Sequence, residues 1–506
     1  MWPFKKSKKK PSTVPDPRAK ALTAASLQGK LGSWRPQHET LLGELRSGNL
    51  SLVRKRCRES SVNSPTIASL VAEIKSQVVG SGVTIEFTHP TDRHKKMANE
   101  LWEAWVESRD FCSDGELNFY QMQKLVMSEV AKAGEIFIKK NIKDGVMNPA
   151  KEVGLEYQIF PADQLADRIA FGTPNVDVPE DIAENSKFID GIGYNAKGRK
   201  VGFIFYEDDY SRRSLFSYHS FNQAQTKYVP ADEIHHIYHR IEARYRRGWP
   251  LVATAIVYGH LSKLLDESQL SKQVIAAMFA AFIHDNSAEV GLENLGNADA
   301  GKDDFDYNES LEGGTMYDLP PGKDVTFSDA PQNNDYESFD TAITRKISSS
   351  AGMPYESVAG NHSDANYSAA RQSQLSSDRR AAPLRDDILI EQFIIPVIND
   401  FKKYLSSMAI LPVEGLGHNI FRPGKILIDP AKEVKPKAQE VRSGFKSWSE
   451  AVREMGKNPR KVAEMIQKDI ELFDELGIKV DTDIRNDNPP EGKPNAEGNS
   501  STTQNS

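Results

Sequence analysis

VPADEIHHIYHRIEARYRRGWPLVATAIVYGHLSKLLDESQLSKQVIAAMFAAFIH, residues 229–284, decides how this chain is laid out. Its first part alternates, with Ile234, His236 and Tyr238 set against His235, Ile237 and His239, which is the period of a strand. The pattern breaks at Arg246-Arg247-Gly248-Trp249-Pro250, where glycine frees the backbone and proline suits the first turn of a helix. A helix of about thirty residues is then expected from Pro250 to His284, about 50 Å long at a rise of 1.5 Å per residue. Val257, Leu261, Leu264, Ser268, Ser271, Ile275, Met278 and Phe282 step by four and three along it. Such a row is a seam for neighbouring helices, here with a small polar stretch in the middle.

Outside that stretch the chain is long and mildly polar. Its 506 residues exceed a single core, so several domains or an elongated subunit are expected. Apolar residues make up 39% and charged residues 27%, and no run is apolar enough to span a bilayer. The net charge is −7, yet the first ten residues hold five lysines and no acid, so the remainder carries −12. That balance excludes a protein gripping nucleic acid electrostatically over its whole surface, because phosphate contacts require lysine and arginine. Cys57 and Cys112 are the only cysteines, too few for a disulfide framework. MWPFKKSKKKP begins like a signal peptide, but Ala21–Leu31 is too polar for its apolar core, so residues 1–50 read as a flexible basic arm.

From Ser51 the pattern is helices followed by strands, an α+β block. Ser64-Pro65 opens a helix with Ile67, Leu70, Val71, Ile74 and Val78 on one face, and Gly80 ends it. Val83–Phe87 reads as a strand. Two helices follow, one with Met97, Leu101, Trp102, Trp105 and Val106, the other with Phe119, Met122, Val126 and Val130. At that spacing the tryptophans are core residues. Glu135–Lys139, Leu155–Phe160, Phe188–Tyr194 and Val201–Tyr206 read as strands, with a turn at Asn195–Gly198.

Beyond the long helix, Asp285–Asp335 is rich in Gly, Asp, Asn and Pro, with short strands at Thr315–Asp318 and Val325–Phe327. It is too apolar-poor to bury a core of its own and needs neighbours. A helix is expected over Tyr336–Ala351 with Phe339, Ala342, Ile343 and Ile347 on one face, stopped by Gly352-Met353-Pro354. A polar loop, Tyr355–Asn366, leads to a helix running toward Met408 that Pro383 and Pro396 should kink. Ile426–Ile428 reads as a strand, Ser447–Glu450 as a capping box, and Asn458-Pro459 as the start of a helix with Val462, Ile466, Ile470 and Phe473. The tail from residue 481 is Pro/Gly/Asn/Ser-rich and reads as disordered.

The chemistry-bearing motifs are weak. His235 and His239 would share a face on a helix, as zinc ligands do, but on a strand they lie about 13 Å apart. Asp304, Asp306 and Asn308 imitate a calcium loop, with Glu309 and Thr315 where Gly and Glu belong. Gly191, Gly193 and Gly198 do not fit a dinucleotide fingerprint, and no phosphate-binding GxxxxGK[ST] occurs. No catalytic residue, cofactor or metal site is expected. The rival from another class is a metal-dependent hydrolase built on His235, His239, Asp303, Asp304 and Asp306. Arg244, Arg246 and Arg247 crowd the expected helix start, where cations are unfavourable unless an acid answers them. They are candidates for ion pairs between subunits, with contact to DNA phosphate as the alternative.

The strand, the RRGWP break and the helix ending in AAMFAAFIH resemble the lambda-type portal proteins of tailed bacteriophages. So does AGMPYESVAGNHSDANYSAAR, residues 351–371, and the resemblance runs in the same order from about Ser51 to Ile478. It implies an elongated, multi-domain α+β subunit in a ring of about twelve copies around a central channel. Residues 51–249 would be the wing, 250–284 the first stem helix, 285–335 the clip and 336–352 the second stem helix. Residues 353–366 would be the tunnel loop, 367–431 the kinked wing helix with a return strand, and 432–480 a helical crown.

Tunnel candidates are then Asn361, His362, Ser363, Asp364 and Asn366. No lysine or arginine lies between Met353 and Asn366, so this loop offers no permanent positive charge. The implied job is a conduit in the virion at one capsid vertex, assembled in the bacterial cytoplasm, passing double-stranded DNA without sequence preference. Implied partners are the terminase large subunit, the major capsid protein or scaffold, and head-completion connectors, with no membrane. The basic arm reads as a solvated tail, with contact to DNA or a capsid partner as the alternative. An adaptor or scaffold ring that passes no DNA is a third reading.

Overall fold

Proline and glycine set the first helical boundaries. The computed structural model describes residues 50–143, 152–166, 178–206, 226–243, 245–278, 282–285, 323–326, 336–363, 366–424 and 429–478. Helix α1 spans Leu50–Asn63, unanticipated because few apolar residues mark its face, and α2 spans Pro65–Val79. Ser64, preceding proline, is extended (φ −116°, ψ 114°) and so cannot prolong α1. α2 buries Ile67, Leu70, Val71, Ile74 and Val78 and ends at Gly80 in a positive-φ conformation. Its last carbonyls are not left bare. Arg385 donates through Nε to Val78 O at 2.7 Å and through Nη2 to Gln77 O at 2.5 Å.

Strand β1 (Thr84–Thr88) leads to α3 (Asp92–Glu107) and α4 (Phe119–Ala133). Trp102 and Trp105 are core residues, with Phe401 against both at centroid distances of 5.1 and 5.5 Å. α4 opens with a capping box between Asn118 and Gln121 and closes at Gly134 (φ +84°). β2 (Glu135–Ile142) then pairs antiparallel with β3 (Leu155–Pro161).

A short helix, α5 (Glu180–Asn185), precedes β4 (Ser186–Ile189), β5 (Ile192–Asn195), β6 (Lys200–Tyr206) and β7 (Thr226–Pro230), which form one antiparallel sheet in that order. The single strand expected over Phe188–Tyr194 is a hairpin instead. Asp190 and Gly191 both have positive φ (52° and 79°), the two-residue turn that an Asp-Gly pair favours. The turn at Asn195–Gly198 is where it was expected. β8 (Ile234–Tyr238) joins β2, giving the order β3-β2-β8.

The long helix is shorter than its pattern. α6 spans Ala255–Met278, 24 residues and about 36 Å. It does not begin at Pro250, because the backbone there is held elsewhere: Trp249 N donates to His239 O and Val252 N to Ala131 O. Phe282–Asp285 is not its last turn but a strand, β9, paired antiparallel with β10 (Lys323–Thr326). The apolar run reads as helix locally, and the pairing overrides it. β10 begins two residues before the strand expected at Val325–Phe327 and shares Val325 and Thr326 with it. Thr315–Asp318 and Asp303–Asp306 lie outside the described residues.

α7 (Tyr336–Ala351) buries Ile343 and Ile347, while Phe339 stays 55% exposed. Gly352 (φ +75°) ends it. The expected loop contains a helix, α8 (Tyr355–Ala359). α9 (Tyr367–Pro383) continues through a π-helical stretch, Leu384–Ile394, into α10 (Ile395–Ser407). The wide turns thus lie between the two prolines, each of which lacks an amide donor. β1 takes its partner from β11 (Gly417–Phe421), a strand the sequence reading missed; the one it placed at Ile426–Ile428 lies outside the described residues. α11 (Pro430–Arg442), also unanticipated, α12 (Trp448–Glu454) and α13 (Pro459–Leu476) follow. Ser447 caps α12 through Glu450 N, and Asn458 caps α13.

One contact ties α4, β2 and the RRGWP segment together. Gly134 and Gly248 lie back to back, so that a Cβ on Gly248 would run into the Gly134 backbone. Gly248→Ala should therefore lower unfolding free energy by about 3 kcal/mol or more. Gly444→Ala, at φ +75° but with nothing within 4 Å, should cost about 1–2 kcal/mol. Urea unfolding of the two variants checks the contrast.

Candidate functional site

Where β2 begins, one carboxylate gathers four donors. Glu135 is fully buried, and its Oε1 accepts from Arg54 Nη2 at 2.5 Å and from Arg247 Nε at 2.8 Å. Its Oε2 accepts from Gly248 N at 2.7 Å and from His236 Nε2 at 3.1 Å. Arg54 comes from α1, His236 from β8, and Arg247 with Gly248 from the break before α6. Arg247 Nη1 also donates to Asp190 O in the β4–β5 turn at 3.2 Å. Burial by itself would raise the Glu135 carboxyl; Arg247 and Arg54, then His236, outweigh it and hold it well below its ordinary range.

Around this carboxylate the proton positions are ordered. Lys200 Nζ donates to His236 Nδ1 at 2.6 Å, which leaves Nε2–H to donate to Glu135. Burial, then the Lys200 charge, pushes His236 down to about 3. Burial likewise lowers Lys200 to about 8 despite the attraction of Glu135. The imidazole is neutral here, a spacer between an amine and a carboxylate.

A second buried acid ties the same sheet to α10. Asp400 accepts from His235 Nε2 at 2.6 Å and Tyr157 Oη at 3.2 Å, and Lys140 Nζ lies 3.4 Å away. Burial would raise its carboxyl, and the His235 hydrogen bond followed by the Lys140 charge lowers it.

These anchors present α6 and α7 as a pair. Gly259 lets α6 lie on α2, since a Cβ there would meet Ile67 Cγ1 at 2.7 Å. Ser262 Oγ donates to Asp340 Oδ1 at 3.4 Å, and Tyr336 donates to Asp266. Burial and then Asp266 raise the Asp340 carboxyl. The opposite face of α6 has no cover among the described residues. Val257, Leu261 and Leu264, three members of the seam, are 60%, 51% and 45% exposed.

The loop after α7 carries the expected channel residues. Asn361, His362 and Ser363 are exposed, and Asn361 Oδ1 accepts from both Ser363 N (3.1 Å) and Ser363 Oγ (2.7 Å). Asn366 caps α9, accepting from Ala369 N at 2.8 Å, so its side-chain oxygen has a structural task. Asp364 lies outside the described residues. Cations missing from the loop itself stand at its roots. Arg345 lies over the Tyr355 ring at 5.1 Å, and Arg380 packs against Gly352. Arg380 is 28 residues from Gly352 in sequence, so spacing alone offered no signal for it.

The three arginines of the break divide. Arg247 is answered by an acid, but it is Glu135 of the same chain. Arg246 lies over the Tyr194 ring at 4.8 Å and donates to Gly198 O. Arg244 lies outside the described residues. The hydrolase reading finds no support in the histidines. His235 and His236 turn to opposite sides of β8 toward Asp400 and Glu135, and His239 Nδ1 lies 3.1 Å from Trp249 O. Among the described residues no group of three metal-binding side chains converges.

Comparison with known proteins agrees with the sequence pattern. The family described as phage portal protein, lambda family, matches residues 28–385. A portal protein of Escherichia phage N15 is 20% identical over 88% of this chain and 88% of its own length. A probable portal protein of Halomonas phage phiHAP-1 is 22% identical over 84% of this chain and 81% of its own length. Among solved structures, a chain from the virion of a native gene transfer agent particle aligns with TM-score 0.45 and 13% identity, covering 80% of this chain and 94% of that one. A chain from the neck of that native particle, with C12 symmetry, aligns with TM-score 0.41 and 13% identity, covering 79% and 92%.

Removing the central charge should be severe. Glu135→Gln leaves two buried guanidiniums facing a neutral amide and should cost about 3–5 kcal/mol in denaturant unfolding. Acid should weaken the fold in a defined window. His236 is lowered in the fold to about 3, from an unfolded value near 6.5, so between those limits only the unfolded chain takes the proton. Stability should thus fall as pH drops through that window, by about 2 kcal/mol between pH 7 and 5. His236→Gln should flatten that part of the profile.

Proposed function

This chain belongs to the lambda family of phage portal proteins, and from that premise we propose that it is the subunit of a ring of about twelve copies through which double-stranded DNA passes. The observation that carries the reading is the open face of α6. A row of three apolar side chains, each about half exposed, faces solvent on the helix that the Glu135 junction holds in place. Among the described residues nothing of the same chain covers that row, whereas an adjacent copy presented by rotation about a ring axis would cover it.

In that ring residues 51–249 form the wing, 250–284 and 336–352 the two stem segments, and 285–335 the clip where a packaging motor and later connector proteins dock. Residues 432–480 form the crown. The loop 353–366 faces the channel with the hydrogen-bonding side chains of Asn361, His362 and Ser363. A chain of net charge −7 suits a conduit, because each phosphate gripped would release counterions and add friction to sliding DNA. Arg345 and Arg380 at the loop's roots supply local positive charge without placing it at the tip. The protein acts in the virion, at the capsid vertex.

Native mass spectrometry and negative-stain microscopy of the purified protein test this. A ring of about a dozen subunits around an open channel is expected. Leu261→Glu with Leu264→Glu should abolish the ring and leave a folded monomer, because both residues are exposed in the single chain. A compact wild-type monomer that stays monomeric in the presence of capsid and scaffold proteins would overturn the reading.

A further inference from the structure

The sheet β3-β2-β8 ends in β8, and its register shows which groups that edge offers. Lys140 N donates to Glu233 O and His239 N to Gly134 O, both at 2.9 Å. With Ile138 opposite His235 and Ile136 opposite Ile237, both backbone groups of His235 and Ile237, the carbonyl of Glu233 and the amide of His239 turn toward β2. Ile234, His236 and Tyr238 therefore turn theirs outward. At Tyr238 both are taken. Its N–H donates to Gln392 Oε1 at 2.9 Å, and its carbonyl accepts from Gln392 Nε2 at 3.2 Å. A carboxamide has the donor and acceptor of a peptide group, so Gln392 stands where one residue of a fourth strand would.

The edge beyond it has no strand partner among the described residues. Among the described residues no hydrogen bond reaches the outward groups of Ile234 or His236. A groove open to solvent runs along them, walled by Tyr238, Gln392, Arg240 and Pro396. Pro396 has no amide proton to compete for a carbonyl. Arg240 donates from Nε to Glu242 O at 3.1 Å and forms no ion pair among the described residues. It is the full positive charge at the groove's end, and no acid lines the groove.

We propose that the open edge of β8 is a strand-addition site for an extended acidic segment of a partner protein. The segment's backbone pairs with Ile234 and His236, Gln392 stops it at Tyr238, and an acidic side chain meets Arg240. Such a site is distinct from the α6 seam and does not depend on how many copies form the ring. Its shortness gives selectivity, since main-chain pairing at two residues is weak without the charge.

Hydrogen exchange on the assembled full-length protein tests the edge directly. The Ile234 and His236 amides should exchange much faster than those of His235 and Ile237. If they are already protected in the ring alone, this chain or a second copy covers the edge, and the proposal is wrong. A synthetic peptide of about eight residues alternating Val and Glu is the probe. It should protect both amides; its lysine-for-glutamate counterpart and a proline-interrupted version should not. Arg240→Glu, on an exposed side chain, should weaken the acidic peptide by about tenfold while rings still form by native mass. Equal binding of the three peptides, or no effect of Arg240→Glu, would also overturn the site. Failure of ring assembly, by contrast, would count against the portal geometry and not against this edge.

Discussion

Two arginines, a backbone amide and a neutral histidine converge on the carboxylate of Glu135, and the arrangement of the described residues depends on that convergence. The donors come from α1, from the segment before α6 and from β8, so one side chain ties three parts of the chain together. Burying a carboxylate is unfavourable unless it is paired and fully hydrogen-bonded. Here both oxygens accept twice. The back-to-back glycines, Gly134 and Gly248, allow the approach, and any side chain at Gly248 would hold the RRGWP segment away.

From that junction the consequences run outward along α6. Its start is displaced to Ala255 because residues 249–252 are hydrogen-bonded to β8 and α4. One face of the helix lies on α2 and α7, and the other is uncovered among the described residues. Asp400 does for α10 what Glu135 does for α6, fastening it to β8, β3 and β2 through His235, Tyr157 and Lys140. The two neighbouring histidines that imitate a metal motif are the means of this. Alternation sends His235 to one acid and His236 to the other.

Carboxamides finish the strands in this protein. Gln123 pairs with both backbone groups of Val83, and Asn99 with those of Phe87. Gln392 repeats the device on β8, and on that strand it reaches one of three outward-facing residues. An edge partly closed in this way is shielded from indiscriminate pairing and still offers a short template.

Much of the layout was legible in the sequence, because helix and strand periods, prolines and glycines act locally. The faces of α2, α3 and α4, the stop at Gly352 and the cap at Asn458 follow from residue spacing alone. The family followed from residues 229–284 and 351–371. What the sequence hid depends on partners distant in the chain. Phe282–His284 continues a helical pattern, yet Lys323–Thr326 pairs it into a strand. Phe188–Tyr194 alternates like one strand, but the Asp190-Gly191 turn folds it back on itself. Arg247 looked like a cation awaiting another subunit because Glu135 stands 112 residues away. Arg54, Arg380 and Gln392 carried no motif. Local pattern specifies which elements form and which faces are apolar; only the tertiary fold decides which charge meets which, because a buried ion pair is set by three-dimensional approach and leaves no period in the chain.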